Sequence, residues 1–334
     1  MATATTTAAT SLLFKQATIA GAQVPPMAIG TWSWGDKTWG YESKDFENIK
    51  EAWSASVKAG LTFFDTAEAY GNGESERIIG RLIKEGTSEE NKARLYITTK
   101  FLPFPTRNGF FLFNPPVVEH LKASLERLGL DSVPLYQLHS SISLNSHEKI
   151  AAGLAQCVKL GLAKAIGVSN FSKDELIKMS DLLEKHGVKI ASNQIEFSLL
   201  RQLPEENRLL EEMKKRGIAC LAYSPLAMGR LTGKYNASNP IPPGRRFSSQ
   251  YSWEQLEPLI SELGTLANKY EVTHSAVALN WVMCKGAIPL GGARNKSQAE
   301  QNAKAVTFKL TDEEVDRLSS LGFSGKNTWF WQRG

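Results

Sequence analysis

Four ionisable side chains of different chemistry stand at the ends of three apolar runs. Asp65 closes LTFFDTA with Tyr70 five residues on, Lys100 closes LYITTK, and His139 closes VPLYQLH. Each alone has an ordinary explanation: a turn-capping Asp, a half-buried aromatic, a satisfied core histidine. Together they supply an acid, a phenol, an ammonium and an imidazole. Reduction of a carbonyl by hydride transfer needs such a set, because a proton must reach the oxygen as negative charge develops there. Tyr70 is the expected donor. A free phenol, with a pKa near ~10, holds its proton too firmly, and a Lys100 cation beside it is expected to lower that value. Asp65 would hold Lys100 through an ion pair, and His139 would hydrogen-bond and orient the substrate oxygen.

These residues work only if distant segments converge, so the elements that carry them matter. Eight apolar, strand-like runs alternate with segments of helical period. The strands are MAIGTW, LTFFDTA, LYITTK, VPLYQLH, AKAIGVSN, KIASNQIEF, IACLAYSPL and GAIPLGG. Between them lie helical segments such as SERIIGRLIKEG and KDELIKMSDLLEKHG, many ending in Gly, and one longer helical stretch from Glu257 to Lys285. Continuously apolar strands alternating with helices predict a parallel sheet covered by helices, and eight units fit a closed barrel. The expected fold is therefore α/β, a (β/α)8 TIM barrel. A hairpin precedes it (KQATIAG, then VPPMAIGTW) and a C-terminal tail lies over the active-site face. The alternative, a doubly wound sheet, lacks a GxGxxG after its first strand. Barrel enzymes place chemistry at the C-terminal strand ends, where the four residues stand.

The chain has 334 residues, 42% hydrophobic and 22% charged, enough apolar material for a large core. Residues 14–334 are expected to form one barrel domain, with 1–13 disordered. The formal charge is +5, but basic residues are interspersed with acids, as on solvated helix faces, so a nucleic-acid partner is not expected. Cys157, Cys220 and Cys284 are widely spaced with no CxxC, which suits a reducing compartment and offers neither a disulfide framework nor a metal site. No apolar run approaches the roughly 18 residues of a membrane span. The protein is expected to be soluble, in the cytoplasm or a plastid. Its Thr/Ala-rich start, MATATTTAATSLL, lacks acids as transit peptides do but is very short for one. Nothing in the sequence fixes an oligomeric state.

In order, spacing and strand position, Asp65, Tyr70, Lys100 and His139 resemble the catalytic tetrad of the aldo-keto reductase superfamily. The resemblance runs from about Thr18 to Leu321. It is carried by GTW, FDTAEAYG, ITTK, YQLH, IGVSN, NQIEFS, YSPLAMGRLTGKY and IPLGGARNKSQAEQN. It implies an NADPH-dependent oxidoreductase that reduces a small aldehyde or ketone to the alcohol. Ser169, Asn170 and Gln194 would bond the nicotinamide carboxamide, Tyr223 would stack on its ring, and Gly30, Thr31, Trp32 and Asp65 would line its end of the site. Ser224, Pro225, Leu226, Gly229, Leu231 and Lys234 would clamp the pyrophosphate with close-approaching backbone. Gly292, Arg294, Gln298, Gln301 and Asn302 would receive the adenosine, with Arg294 on the 2′-phosphate. Two positions depart from the family pattern: Gly291 where many members have proline, and Gln301 where many have glutamate. Within the superfamily the chain is most similar to the pyridoxal reductase-like and potassium-channel β-subunit-like branches. The second of these leaves an alternative, an NADPH-binding partner subunit with little turnover.

Lys100 is followed by FLPFPTRNGFFLFNPP, with five phenylalanines from Phe101 to Phe113, and the tail holds Trp329-Phe330-Trp331. With Trp32 and Trp34 after the first strand, they read as an aromatic pocket, Trp32, Trp34, Phe101 and His139 facing the carbonyl substrate. Loop packing or a subunit contact is the equal alternative. Pyridoxal, methylglyoxal-like and aromatic aldehydes are all open as substrates. The long connector NASNPIPPGRRF (residues 236–247) reads either as a lid that brings Arg245 and Arg246 near phosphate or as a solvent-exposed loop.

Overall fold

Strand residues alternate between two apolar environments, and the alternation decides which side chains can reach the site. The computed structural model describes residues 13–104, 115–241, 251–328 and 331–334. Strands β1 (Ala17–Ile19) and β2 (Ala22–Val24) form an antiparallel hairpin. Eight parallel strands then close into a barrel. They are β3 (Ala28–Gly30), β4 (Phe63–Asp65), β5 (Tyr96–Phe101), β6 (Leu135–Leu138), β7 (Ile166–Ser169), β8 (Ile190–Glu196), β9 (Ala219–Tyr223) and β10 (Ile288–Gly292), with β10 returning to β3. Each lies inside one of the eight apolar runs, except that β5 extends one residue past LYITTK to Phe101, so the (β/α)8 barrel and its N-terminal hairpin are as expected.

One face of the strands points inward. At the N-terminal ends, Ala28, Phe63, Tyr96, Leu135, Ala165, Leu221, Ile288 and Leu290 pack with Ile19 and Val24 of the hairpin, which closes the barrel floor. The opposite face, including Ile29, Phe64, Ile97, Phe101, Tyr136, Leu138, Ile166 and Val168, packs against the surrounding helices. Burial of this kind stabilises by roughly 25 cal/mol per Å² of apolar surface.

The helices present matching stripes. Among them are α1 (Phe46–Lys58), α2 (Glu74–Gly86), α3 (Val117–Leu128), α4 (His147–Lys159), α5 (Lys173–Glu184) and α6 (Leu209–Lys215). In α2 the buried Ile78, Ile79, Leu82 and Ile83 recur at the spacing that keeps one face on the barrel. The stretch predicted from Glu257 to Lys285 is two helices, α7 (Trp253–Tyr270) and α8 (His274–Cys284). Glu271 ends the first in the left-handed region (φ 54°), and the Thr273 hydroxyl caps the second by accepting from Ala276 N–H. After β10 come α9 (Lys296–Lys304) and α10 (Asp312–Leu321).

Among the described residues no helix is long and apolar enough to cross a membrane, and no cluster of three or more His, Cys, Asp or Glu is placed to hold a metal ion. Residues 1–12, Phe110, Phe111, Phe113, Arg245, Arg246, Trp329 and Phe330 lie outside the described residues, and with them most of the expected aromatic loop and part of the 236–247 connector.

Candidate active site

The barrel register puts the four chemistry-bearing residues on neighbouring strands. Asp65 ends β4, Lys100 pairs in register with Gln137 across β5 and β6, and His139 follows β6. All three are buried, Lys100 completely. The Lys100 Nζ donates to Asp65 Oδ1 at 2.5 Å, to the Thr66 carbonyl at 2.7 Å and to the Tyr70 hydroxyl at 3.1 Å. The Tyr70 ring meets His139 edge to face, with centroids 5.7 Å apart. Acid, ammonium, phenol and imidazole are thus assembled at the open end of the barrel.

Tyr70 reaches this position through an unusual backbone. Gly71, Asn72 and Gly73 all have positive φ, and a Cβ on Gly71 would collide with the Gly35 carbonyl. Glu68 ties the same loop down: its carboxylate accepts from Leu102 N–H at 2.8 Å and pairs with His120 Nδ1 of α3 at 2.6 Å. The loop bearing Tyr70 and the chain leaving Lys100 are therefore joined by one buried carboxylate.

The electrostatics differ from the sequence expectation in one respect. Burial pushes the Tyr70 phenol well above its ordinary value, and the Asp65 carboxylate pushes it further. Burial also pulls Lys100 below the usual lysine value, with the Asp65 ion pair opposing it. In the resting site the phenol holds its proton firmly; Lys100 donates to its oxygen without bringing it toward ionisation.

The residues expected around the nicotinamide form a connected rim. Ser169 Oγ donates to the Gln194 carbonyl, Asn170 Nδ2 donates to Ser169 Oγ and to the His139 carbonyl, and the Tyr223 hydroxyl donates to Asn170 Oδ1 at 2.8 Å. Gln194 Nε2 donates to Asp65 Oδ2 at 2.9 Å. Thr31 lies fully buried beneath, its hydroxyl donating to the Asp65 carbonyl. Gly30 and Gly292 are side-chain-free neighbours on β3 and β10; a Cβ on Gly292 would meet nothing nearer than the Gly30 carbonyl at 4.0 Å.

Beyond β9, Ser224, Ala227, Met228 and Gly229 all have positive φ, a run of tight turns closed by the Ala227 N–H on the Ser224 carbonyl and the Gly229 N–H on the Leu226 carbonyl. Pro225 and Leu231 are buried and offer only backbone, Leu226 is half-buried, and Lys234 is exposed with its ammonium over the Tyr235 ring. After β10, Gln298 Oε1 accepts from Arg294 N–H at 2.8 Å, and the Arg294 guanidinium donates to the Trp39 carbonyl at 3.2 Å. Gln301 is exposed and donates along α9 to Ser297. Asn302 points inward, buried, and donates to the Gly292 carbonyl at 3.1 Å.

Two pocket assignments are corrected. Trp34 is fully buried among Trp53 and Phe64, and its indole N–H donates to the Ala293 carbonyl at 2.7 Å. Phe101 is also fully buried, packed against His120 in the layer between barrel and helices. Because strand side chains alternate, the residue after inward-facing Lys100 faces outward. Among the described residues, Trp32 and Trp331 bring aromatic rings to the mouth. Trp32 stacks on Tyr70 (6.1 Å, 26°) and donates to Asp36, and Trp331 of the tail lies edge-on to His139 at 5.3 Å and near Phe104.

Sequence reading missed the tail's anchor and two buried polar braces. The buried Arg201 guanidinium donates to the Lys326 carbonyl, to Asn327 Oδ1 and to the Gly334 carbonyl, drawing the tail over the mouth. Arg333 adds an ion pair to Glu175 at 2.6 Å. Gln137 and Glu68 are the braces; Gln137 was visible as a polar residue inside an apolar strand run, and Glu68 as the acid in the loop between Asp65 and Tyr70.

The model of the aldo/keto reductase family matches residues 26–322. The chloroplastic pyridoxal reductase of Arabidopsis thaliana is 36% identical over 305 residues, covering 88% of this chain and 82% of that protein. A putative voltage-gated potassium channel subunit beta of Schizosaccharomyces pombe is 29% identical, covering 90% of each chain. The crystal structure of a Bombyx mori aldo-keto reductase in complex with NADP superposes with a TM-score of 0.70 at 25% identity, covering 93% of this chain and 94% of that one.

Proposed function

This chain belongs to the aldo/keto reductase family, and from that premise we propose that it reduces a small aldehyde, aromatic and pyridoxal-like, with NADPH, Tyr70 giving the proton. The observation that carries the reading is the position of Lys100, whose ammonium touches both Asp65 and the Tyr70 hydroxyl in a buried site.

The site suits a nicotinamide dinucleotide. The side-chain-free rim between Gly30 and Gly292 would admit a flat ring, the Gln194 side-chain oxygen and the Ser169–Asn170 pair would meet a carboxamide, and Tyr223 would lie against the ring. The turns at 224–229 would pass close to the pyrophosphate, and the Arg294 guanidinium would take a phosphate. When bound, the reduced nicotinamide supplies a hydride.

The chain supplies the rest. Lys100 donates to the phenol oxygen, which leaves the Tyr70 O–H free to aim at a carbonyl oxygen in the mouth. As that proton leaves, the ammonium stabilises the phenolate, an interaction stronger in the transition state than in the resting site. Asp65 keeps the buried cation charged. His139, set against Tyr70, orients the carbonyl oxygen. Trp32 and Trp331 flank the mouth as flat walls, which favours a planar substrate and excludes water from the transfer.

The test is a panel of carbonyls followed by loss of NADPH absorbance, with Tyr70→Phe beside the wild type. Turnover of pyridoxal or aromatic aldehydes, lost in Tyr70→Phe with NADPH binding retained, is the expected result. Turnover undiminished by Tyr70→Phe removes the tyrosine from its role. Tight NADPH binding with no turnover of any carbonyl replaces the enzyme with a cofactor-binding partner subunit.

A further inference from the structure

Asp65 has two carboxylate oxygens, and they are held by different partners. Oδ1 accepts from Lys100. Oδ2 accepts from Gln194 Nε2 at 2.9 Å and from Gln137 Nε2 at 3.1 Å. Gln137 is fully buried and its amide is spent within the barrel: Nε2 also donates to Thr98 Oγ1 at 2.8 Å, and Oε1 accepts from Gln194 Nε2 at 3.4 Å. It stands beside Lys100 in the β5–β6 register and two residues before His139, on the inward face.

Room for this amide is built into the next strand. Gly167 carries no side chain, and a Cβ there would press on Gln137 Cγ at 3.0 Å and clash with Ser192 Oγ. An amide inside the barrel could be mere filling, but its donor points at the one buried anion that holds Lys100. The terminal torsion of an Asp is broad, so an ammonium on one oxygen does not fix the carboxylate plane. Donors on the other oxygen do.

We propose that Gln137 is a positioning residue: it fixes the Asp65 carboxylate so that Oδ1 faces Lys100, and through it aims the Lys100 ammonium at the Tyr70 hydroxyl. The proposal rests on the function above, since Tyr70's proton transfer is what this line of bonds serves.

Gln137→Met keeps length and bulk and removes both donors; Gln137→Leu repeats the measurement if the methionine variant does not fold. A lost hydrogen bond to a charged group predicts a fall in kcat of about ten- to hundredfold, with NADPH Kd held within about threefold. A loosened Asp65 protects the Lys100 charge less, so the alkaline limb of the kcat profile moves to lower pH. In an Asp65→Asn background the same change costs less than about twofold, because residues acting as a unit are not additive. Unchanged kcat and pH profile, or the full loss repeated in the Asp65→Asn background, overturns the proposal. If the wild type turns over no carbonyl, the functional reading has failed separately. The same cycle read on the thermal midpoint of the cofactor-free protein then decides: non-additive losses support Gln137 acting on Asp65, and additive losses overturn it.

Discussion

Trp34 donates its indole N–H to the carbonyl of Ala293, joining the loop after the first barrel strand to the loop after the last. Arg294 follows directly, so a ring expected to face substrate instead sets the height of the segment expected to meet the adenosine phosphate. Trp34→Phe keeps most of the packing against Trp53 and Phe64 but loses the bond. The expected outcome is NADPH binding weakened by about 0.5–1.5 kcal/mol, the net worth of one hydrogen bond, with kcat at saturating cofactor nearly unchanged. Fluorescence titration of NADPH beside steady-state kinetics checks it; a kcat loss without an affinity loss contradicts it.

Arg294 is exposed and its guanidinium donates to a neutral backbone carbonyl, that of Trp39, a contact a phosphate can replace. Arg294→Ala is expected to cost about 1.5–3 kcal/mol of NADPH binding, the scale of a hydrogen bond to a charged group, and to leave NADH binding unaltered. Equal losses for the two cofactors would place the 2′-phosphate elsewhere.

Tyr70→Phe removes only the hydroxyl. General acid catalysis is worth about 10²- to 10⁴-fold, so kcat for carbonyl reduction is expected to fall by at least the lower figure. The ring, stacked on Trp32, stays in place.

The alkaline behaviour of the site follows from two opposed shifts. The phenol is raised, so Tyr70 keeps its proton beyond the ordinary tyrosine range; Lys100 is lowered, so it discharges first as pH rises. The alkaline fall of kcat is therefore expected to begin below the ordinary lysine value and to report the ammonium. A tyrosinate difference spectrum of wild type against Tyr70→Phe is expected to show no Tyr70 phenolate across that fall. A phenolate appearing first reverses the order.

His274 opens α8 with its ring half-buried against Gly233 and Gly264, and burial lowers its pKa. A depressed base binds its proton later in the folded chain than in the unfolded one. The contribution is thus intact above the ordinary histidine value and lost as pH falls below it. Thermal midpoints are expected to drop on acidification through that range, and less so in His274→Gln. Parallel curves for the two proteins would assign the acid sensitivity to other groups.

The strands were readable because each follows a short apolar run set between segments of helical period; the hairpin was legible as an element, but not that its Ile19 and Val24 close the barrel floor. Phe101 and Trp34 were misread for a common reason: nearness in sequence to Lys100 and Trp32 was taken for nearness in space. The period of two already sends Phe101 outward once Lys100 is inward. The same period marks Gln137, two residues before His139, as an inward polar group, a signal present in YQLH and passed over. Burial was the harder quantity. The upward shift of Tyr70 depends on how completely the fold dries the phenol, and no spacing of residues reports that. Arg201 was invisible for another reason, since its partners at Lys326, Asn327 and Gly334 lie more than a hundred residues away.

The hairpin plugs the barrel with Ile19 and Val24 at the end away from Lys100 and Tyr70. A change in that plug is expected to register as lost stability rather than lost chemistry, since these two side chains pack with Phe63, Tyr96 and Leu135 and not with the groups that would handle the proton.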